Sequence, residues 1–539
     1  MNTTHLTTEV LVVGGGMGGV SAALAALRAG KRVILTEEYE WLGGQLTSQA
    51  VPMDEHTWVE QFGVTASYRE LREGIRDYYR DNYPLLDHVR DRTDLNPGAG
   101  LVSRLCVEPR VAVSVIDALF ARYLGSQQLT IIKPVAPISA EVDGTRVTSV
   151  TLASLSGDTE TTITADYVLD ATELGDLLPL TGAEYVSGTE GRGETGEPSA
   201  PEIGDPENVQ ALSWCFVLDH VEGENHTIAK PADYDYWRNY APEFWGAPLL
   251  SLTAPHPRTL EIVTRSFNPL VNDDPTTQLA DQRAGGGDEE LWLFRRILAK
   301  GNLVDGHLQG DLVLVNWPMI DYLDGNIIDA DAASRARHLH ASRQLSYSFF
   351  YWLQTEAPRP DGGYGWPGLR LRGDITGTDD GLAMAPYIRE SRRIRAEYTV
   401  VEGDLSIAAR GHGRPATFPD TVGVGMYRID LHPSTNGDNY IDVASAPFEI
   451  PLGAMIPVRL DNLLPAGKNV GTTHITNGAF RLHPVEWNIG EAAGWLAAFC
   501  LDHAVDPRVV RNSPRLLEEF QSLLTTRGVE LHWPDVTGY

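Results

Sequence analysis

Cysteine is scarce in this sequence, which has three among 539 residues. Cys106, Cys215 and Cys500 are far apart and form no C-x-x-C pair, which argues against a zinc site, an iron–sulfur cluster and a sequence-adjacent redox pair. A disulfide framework is disfavoured for the same reason, as is usual in a reducing compartment. We therefore predict no metal site and a cytoplasmic location.

Basic residues and long apolar runs are also in short supply. The 43 lysines and arginines are outnumbered by 73 aspartates and glutamates, which gives a net charge of −30. Because binding to a phosphate backbone needs clustered lysine and arginine, nucleic acid is not expected as a partner. No apolar run reaches about 18 residues and no cleavable leader pattern is visible, so we predict neither a membrane span nor a secretion signal.

Glycine, in contrast, is concentrated in a motif near the amino-terminal end. Residues 10–13 are apolar and predict a buried strand, and residues 14–19 (GGGMGG) contain the spacing G-x-G-x-x-G. An alanine-rich stretch ending at Gly30 predicts a helix, and residues 31–36 predict a second strand that ends at Glu37. Strand, glycines, helix, strand and acid therefore follow in the order of a dinucleotide-binding βαβ unit.

Each part of this motif has a mechanical reason. Gly14 permits the tight turn, Gly16 lets the backbone approach a pyrophosphate, and Gly19 allows the helix to pack closely on the strand. The helix amino terminus directs free N–H groups and the positive end of its dipole at the phosphates. An acid at the end of the second strand accepts hydrogen bonds from ribose hydroxyls. Glu37 is the first candidate for this acid and Glu38 is the alternative.

Seven further segments along the chain belong to one pattern. They are 41–48 (WLGGQLTS), 166–173 (DYVLDATE), 388–394 (IRESRRI), 424–430 (VGMYRID), 462–470 (NLLPAGKNV), 478–484 (GAFRLHP) and 488–494 (NIGEAAG). Together with the glycine motif, they resemble the FAD-dependent oxidoreductases, a family related to the flavoproteins of fumarate reductase and succinate dehydrogenase. The resemblance covers most of the chain and specifies the cofactor far better than the substrate.

The resemblance implies FAD as the cofactor and an α/β fold. A Rossmann-type FAD-binding domain would be discontinuous, with residues 1–185 and 449–506, and an α+β substrate domain would be inserted at residues 186–448. Residues 507–539 are expected to form a helical tail. Because no second G-x-G-x-x-G follows a strand, a separate domain for a pyridine nucleotide is not expected.

The cofactor contacts expected from the motif and the resemblance extend over both ends of the chain. They are Gly14, Gly16, Met17, Gly18, Gly19, Glu37, Glu38, Gly43, Gly44, Gln45, Ala171, Thr172, Gly467, Arg481, Asn488 and Ile489. In the resembling flavoproteins, an arginine at the place of Arg481 holds the flavin or an anionic group of the substrate. Here His483 and Pro484 replace the usual small residues after it, which favours the contact with the flavin. The segment 488–494 is expected to open an alanine-rich helix, whose amino terminus points at the flavin ring in the resembling enzymes.

Oxidation of a C–H bond by a flavin needs a base for the accompanying proton, and histidine suits this role because its pKa is near neutrality. His474 and His483 are the catalytic candidates, since both flank motif segments at the carboxyl-terminal end. The substrate site is expected to include His56, His432 and Arg389.

The sequence thus predicts an FAD-dependent oxidoreductase that removes a hydride from a small organic substrate, such as a sugar, a glycoside or another alcohol. Oxygen or another acceptor would take up the electrons. Two alternatives stay open, a flavin-dependent monooxygenase and a flavin-binding protein without turnover. The sequence leaves the oligomeric state undecided.

Several elements outside the motifs can be predicted as well. Helices are expected at residues 68–80, 289–300 and 330–354, and strands at 211–218 and 311–315. The charged, aromatic helix at 68–80 either covers the flavin pocket or lies on the surface.

Overall fold

One mixed sheet organises the fold. In the computed structural model, which describes residues 2–276 and 288–539, its strands are β1 (Asn2–Val13), β2 (Val33–Thr36), β3 (Leu129–Ile132), β4 (Val135–Asp143), β5 (Arg146–Ser154), β6 (Thr159–Asp170) and β21 (Leu463–Pro465). The strand order is β3-β2-β1-β6-β5-β4, with β21 also paired to β6. The pairs among β1, β2, β3, β6 and β21 are parallel, whereas β4 and β5 pair in the antiparallel sense.

This parallel-strand, Rossmann-like arrangement confirms the α/β class predicted from the sequence. Because β21 pairs with the end of β6, residues from both ends of the sequence build one sheet. The inserted α+β domain and the boundaries at residues 185, 449 and 506 stay predictions.

The first strand is longer than the apolar run that predicts it. β1 begins at Asn2, and its threonine-rich first half pairs with Thr159–Ala165 of β6. β-branched threonine fits a half-buried pleated surface as well as valine does. The strand predicted at residues 10–13 therefore begins eight residues earlier, at Asn2.

Two helices approach each other through glycine beside the carboxyl ends of the parallel strands. They are α1 (Met17–Arg28) and α14 (His483–His503). A Cβ atom on Gly490 would lie 2.0 Å from the carbonyl oxygen of Gly18, and one on Gly494 would lie 2.2 Å from that of Ala22. Only glycine allows this separation, which brings the start of α14 beside the start of α1.

Other helices cover the sheet or follow it. The helix predicted at residues 68–80 is confirmed as α2, and it buries Tyr68, Arg72 and Tyr79. No helix of the described residues is both long and apolar enough to cross a membrane. The helices that cover or follow the sheet are α2 (Ala66–Asn82), α3 (Asp87–Arg90), α4 (Pro109–Gly125), α5 (Leu177–Thr181), α13 (His474–Phe480), α15 (Pro507–Asn512) and α16 (Pro514–Thr526).

Residues between β6 and β21 form short strands and one long helix. The strands are β7 (Tyr185–Val186), β8 (Leu212–Ser213), β9 (Phe216–His220), β10 (Thr253–Pro255), β11 (Ile262–Thr264), β12 (Arg296–Leu298), β13 (Leu312–Val315), β14 (Asp321–Tyr322), β15 (Leu369–Leu371), β16 (Arg393–Ile394), β17 (Thr421–Gly425), β18 (Ile429–Leu431), β19 (Ile441–Val443) and β20 (Phe448–Pro451). The helices are α6 (Arg192–Thr195), α7 (Tyr234–Asn239), α8 (Leu291–Phe294), α9 (Ala332–Thr355), α10 (Gly373–Thr376), α11 (Glu402–Leu405) and α12 (Ile407–Arg410).

The long helix and one strand of this region match the sequence predictions. α9 begins after Asp331, whose carboxylate accepts hydrogen bonds from the first free N–H groups, and β13 lies at the predicted place. The strand predicted at 211–218 is divided into β8 and β9.

The helix predicted at 289–300 was wrong. A single turn, α8, is followed there by β12, which pairs with β13. Periodicity cannot separate a short, fully buried apolar run in a strand from one in a helix.

The tail is helical only as far as Thr526. The remaining residues return irregularly to the middle of the fold, where the indole N–H of Trp533 donates to the carbonyl of Phe448. Thr57 N–H donates to the hydroxyl of Tyr539. The prediction of a helical tail therefore fails for residues 527–539, whose aromatic side chains pack on Trp58 and its neighbours.

Candidate active site

Two cavities lie on either side of the loop that follows β2. The glycine-loop cavity has a volume of about 380 Å³, and Gly14, Glu37, Ala171 and Gln49 are among its lining residues. The histidine cavity has a volume of about 230 Å³, and its lining includes Asp54, His56, Arg295, Tyr427 and His432. Residue 49 lines the first cavity and residue 54 lines the second, so the short loop between these residues connects the two cavities.

The glycine-loop cavity begins where β1 turns into α1. Gly14 has a φ of +98°, and a Cβ atom there would lie 2.3 Å from the carbonyl oxygen of Ala171. α1 starts after Gly16, and no side chain caps it. Its amino terminus is therefore suited to a phosphate. Met17, Gly18 and Gly19 form the first turn of this helix.

Glu37 holds the loop of this cavity as well as lining it. Its carboxylate accepts hydrogen bonds from the N–H groups of Gly15 at 2.6 Å, Glu38 at 2.9 Å and Tyr39 at 3.0 Å. Burial raises the pKa of Glu37 to about 8. Glu38 lines the same cavity, so both candidates for the ribose acid lie at the predicted place.

The second glycine pair closes the other side of the loop. Gly43 N–H donates to the carbonyl of Gly15 at 2.7 Å. A Cβ atom on Gly44 would lie 2.7 Å from the Cα atom of Gly16, so this position excludes other residues. Ala171 and Thr172 follow β6 at the edge of the same cavity.

A buried cluster of charged side chains lies at the start of α1, and sequence reasoning missed it. Lys468 forms an ion pair with Glu173 and lies 3.9 Å from Glu486, while Gln45 donates to Glu486. Burial raises the pKa of Glu486 to about 7. The available signal was position, because Glu173 follows the Ala171-Thr172 pair and Lys468 follows Gly467 directly.

The helix expected to open at Asn488 begins at His483 instead. Pro484 lies in its first turn, where proline is favoured because its missing N–H costs no hydrogen bond. Asn488 lies more than one turn inside and donates to the carbonyl of Val424 at 3.0 Å. Ile489 is fully buried beside it. His483, and not Asn488, is therefore the first residue of α14.

Both ring nitrogens of His483 are used by the backbone. Nδ1 accepts a hydrogen bond from Asp54 N–H at 3.1 Å, and Nε2 donates to the carbonyl of Val51 at 3.2 Å. Burial lowers the pKa of His483 to about 4. The ring is therefore neutral and fastens the loop between the two cavities to α14.

His474 belongs to a different network. Its Nδ1 lies 2.9 Å from the carboxylate of Glu390, which also pairs with Arg393. Its backbone N–H donates to Glu190 at 2.8 Å. His474 lines neither of the two cavities. The structure thus separates the two histidines that the sequence groups together.

His432 and Asp321 form a buried pair at the wall of the histidine cavity. His432 Nδ1 lies 2.6 Å from Asp321 Oδ2, and Arg389 lies 3.1 Å from Asp321 Oδ1. Within residues 2–276 and 288–539, Nε2 of His432 has no hydrogen-bond partner, and the ring lines the cavity. Burial and the charge of Arg389 lower the pKa of His432 below its ordinary value.

The state of Asp321 follows from its neighbours. Burial alone would raise the pKa of Asp321, but Arg389 and His432 outweigh burial and hold it below the usual range. Arg389 also donates to the hydroxyl of Ser213 at 2.9 Å. Arg389, which the sequence places in the substrate site, is absent from the lining of the histidine cavity and reaches His432 only through Asp321.

His56 and the end of the chain close the other wall of the histidine cavity. Nε2 of His56 lies 3.1 Å from the carbonyl oxygen of Gly63, and burial lowers the pKa of His56 to about 3. The His56 ring lies 5.2 Å from that of Trp533. Tyr539 lines the same cavity, and no motif near it predicts this position.

Arg481 lies between the start of α14 and the histidine cavity. Its guanidinium donates to the hydroxyl of Tyr387 at 2.9 Å and to the carbonyl of Asp430 at 3.0 Å. The carbonyl of Arg481 accepts a hydrogen bond from Gln45 at 3.1 Å. Arg481 thus connects the predicted cofactor loop with the cavity.

Comparison with known proteins decides the family. The family model described as FAD dependent oxidoreductase matches residues 9–524. The chain belongs to this family. A search of curated proteins found no match.

Solved structures resemble this FAD-dependent oxidoreductase only in part. They include L-proline dehydrogenase from P. horikoshii (14% identity, TM-score 0.19, 35% of this chain and 25% of that chain). A flavocytochrome c3 fumarate reductase matches with 20% identity and a TM-score of 0.19, over 31% of this chain and 33% of that chain. The p-nitrophenol 4-monooxygenase PnpA from Pseudomonas putida DLL-E4 matches with 16% identity and a TM-score of 0.24, over 41% and 49%. The chain thus spans half or less of each, and the family match alone carries the assignment.

FAD is the cofactor of this family, and the glycine-loop cavity fits it. Gly16 and Gly44 place no side chain of their own at the amino terminus of α1, where the nearest side-chain atom is the end of Glu173, and Lys468 is a buried cation paired with that carboxylate. Among the described residues, Gln49 Nε2 is buried without a hydrogen-bond partner, and Gln49 lines this cavity. This polar group is available to a ligand that crosses the cavity.

The two glycines at the turn should respond differently to alanine. On Gly16, a Cβ atom would meet only the end of the Glu173 side chain, at 2.9 Å, so we expect Gly16→Ala to fold and to lose FAD. Gly14→Ala should be destabilised by about 1–2 kcal/mol or more, because its φ is in the left-handed region and the backbone of Ala171 cannot move aside.

Flavin content and thermal unfolding of both variants test this difference. Gly30→Ala is a matched control for the strained φ, because Gly30 has a φ of +85° with open space around it. Full flavin occupancy in Gly16→Ala would contradict the assignment of this turn to the diphosphate.

Proposed function

We propose that this chain oxidises an alcohol carbon of a small molecule bound in the histidine cavity, with His432 as the base. The observation that carries the proposal is the pair of His432 and buried Asp321, because it leaves Nε2 open to the cavity. Histidine held by a carboxylate at Nδ1 is suited to accept a proton at Nε2.

The reaction balances once a hydride acceptor is bound. The substrate hydroxyl gives its proton to Nε2 of His432, the C–O bond becomes a carbonyl, and the hydrogen on carbon leaves with its electron pair. FAD, when bound, would supply the acceptor for this hydride.

Asp321 is proposed as the residue that positions the base. A carboxylate 2.6 Å from Nδ1 fixes the tautomer with the proton on Nδ1, which leaves the lone pair on Nε2. It also stabilises the imidazolium that forms. Arg389 supports this role, because its positive charge keeps Asp321 ionised in a fully buried position.

His483 and Arg481 are proposed to serve the cofactor side. The ring of His483 holds the loop of Val51 and Asp54 against the start of α14. These hydrogen bonds fix the position of the histidine cavity relative to the cofactor loop. Arg481 lies beside the same helix start, where a guanidinium stabilises negative charge on a bound group. His474 is proposed as a structural residue, because Glu390 engages its ring outside both cavities.

The proposal is tested by mixing the FAD-loaded protein anaerobically with a panel of alcohols and following the flavin absorbance. Bleaching by an alcohol, with one carbonyl product per flavin reduced, is the expected result. Bleaching by NADH or NADPH alone, with hydroxylated product appearing only in oxygen, would favour the monooxygenase instead. Absence of bleaching under both conditions would favour a binding protein without turnover.

The rate of flavin reduction by substrate should fall as the pH is lowered. Burial and Arg389 lower the pKa of His432 below 6.5, so the ring is neutral and able to accept a proton at neutral pH. We expect a constant rate across neutral pH and a fall at lower pH, as protonation removes the lone pair of Nε2. Stopped-flow traces over this range test the prediction, and a rate that rises as the pH falls would contradict it.

A further inference from the structure

The carboxylates that line the histidine cavity are paired with arginine. Asp54 lies 3.4 Å from Arg295, Asp430 lies 3.4 Å from Arg481, and Asp442 contacts Arg258 at 3.4 Å. Asp442 also contacts Arg428, which lines the cavity too. The cavity wall therefore carries both charges side by side, with five carboxylates and four arginines among its described lining residues, so no cluster of arginines without carboxylates is present there to bind an anion.

Three of these pairs are looser than an ordinary charged hydrogen bond. Charge-assisted N–H···O contacts measure about 2.7–2.9 Å, whereas the closest charged atoms here are 3.4 Å apart. Nε of Arg295 and Nε of Arg481 have no partner among the described residues. Asp442 is taken up by Arg428, and Arg481 lies outside the cavity lining. Asp54 and Arg295 both line the cavity, and this pair therefore keeps donors and lone pairs that its two members do not use on each other.

A hydroxyl group is the ligand group that matches such a pair. It can accept a hydrogen bond from the guanidinium and donate one to the carboxylate at the same time. A carboxylate on the ligand would be repelled by Asp54 and Asp430, and an ammonium group would be repelled by Arg295. The charge of −30 on the whole chain further opposes the approach of an anion.

Aromatic side chains line the same cavity. Trp317, Phe294, Tyr427 and Tyr440 contribute rings, and such faces pack against the C–H surface of a ring-shaped molecule. The volume of about 230 Å³ is below the roughly 300–1,000 Å³ of pockets for drug-sized ligands, which favours a ligand of the size of one small ring.

We propose that the substrate is a neutral, polyhydroxylated ring of the size of one sugar. This inference rests on the proposed function, since it names the class of alcohol that His432 deprotonates. The loose pair of Asp54 and Arg295 binds adjacent hydroxyl groups, and the aromatic side chains contact the ring face.

The test compares matched ligands that differ in charge. Methyl hexopyranosides, the corresponding hexuronic acids and the 2-amino sugars are titrated into the FAD-loaded protein, with binding followed by tryptophan fluorescence and reduction by anaerobic flavin absorbance. We expect a neutral glycoside to bind at least about tenfold more tightly than its uronic acid or amino counterpart, because like charges in contact are unfavourable. The affinity for the neutral ligand should not change between low and high salt.

Asp54→Asn sharpens the comparison, because it leaves Arg295 without its counter-ion. The preference for the neutral ligand over the uronic acid should fall about tenfold or reverse. The hydrogen bond from Asp54 N–H to His483 involves the backbone and is kept. Glu184→Gln is the matched control, because Glu184 pairs with Arg459 at the same 3.4 Å away from the cavity. It should leave the preference unchanged.

The outcomes separate this inference from the proposed function. A neutral sugar that binds without bleaching the flavin would support the substrate class and overturn the hydride transfer. Bleaching by a uronic acid, an amino sugar or an apolar alcohol in preference to the neutral sugar would overturn the substrate class alone. No saturable binding across neutral pyranosides, furanosides and cyclitols would also overturn it.

Discussion

Replacing His432 with glutamine should slow reduction of the flavin by substrate about 10²- to 10⁴-fold, the usual effect of removing a general base. Glutamine keeps a polar group near Asp321 but cannot accept the proton. FAD should remain bound, because His432 lies in the histidine cavity and not among the residues of the glycine-loop cavity. Anaerobic stopped-flow with an alcohol that bleaches the wild-type flavin measures the effect.

Two further variants give this experiment its control and its contrast. His503→Gln removes another histidine paired with a carboxylate, Glu519 at 3.1 Å, at a site outside both cavities. It should reduce flavin at the wild-type rate. His474→Gln should behave in the same way if its ring only holds Glu390. A normal rate in His432→Gln together with a slow rate in His474→Gln would transfer the catalytic role to His474.

Replacing Glu37 with alanine should weaken the binding of FAD by about 5- to 150-fold, since an unsatisfied buried partner costs about 1–3 kcal/mol. The variant loses the acceptor for the ribose hydroxyls. It also frees the N–H groups of Gly15, Glu38 and Tyr39, which Glu37 holds in the loop. Equilibrium dialysis of the flavin measures the change in affinity.

Glu37→Gln and Glu38→Ala separate the two roles of this acid. Glutamine keeps one oxygen for the loop, so its thermal stability without FAD should exceed that of Glu37→Ala. Glu38→Ala removes the alternative ribose acid and should retain FAD. Unchanged affinity in Glu37→Ala with a loss in Glu38→Ala would assign the ribose contact to Glu38.

The part of the site that depends on adjacent residues could be predicted from the sequence. The turn from β1 into α1 is a local structure, and the spacing of its glycines is visible within six residues. The end of β2 then places Glu37 at the edge of the same cavity, because parallel strands carry their carboxyl ends to one side. The FAD-dependent oxidoreductase family was recognisable for the same reason, through short segments with fixed internal spacing.

Prediction failed where burial hides the local signal. The apolar residues around Ile297 read as a helix, yet they form a strand that is buried on both sides. The start of α14 was placed five residues late, because its first turn is as buried as its interior and shows no polar face. Hydrophobic periodicity needs an exposed face, and these segments have none.

The glycine motif and the spaced segments were enough to predict a Rossmann-like α/β fold, an acid at the end of β2 and the histidines to examine. Which histidine has a free nitrogen in a cavity depends on tertiary packing, since His432 and Asp321 are separated by 111 residues and meet through the packing of other elements. The same holds for Lys468 with Glu173 and for Tyr539 in the cavity wall. Local motifs are fixed by bonded geometry, whereas pairs far apart in sequence are set by how the whole chain packs.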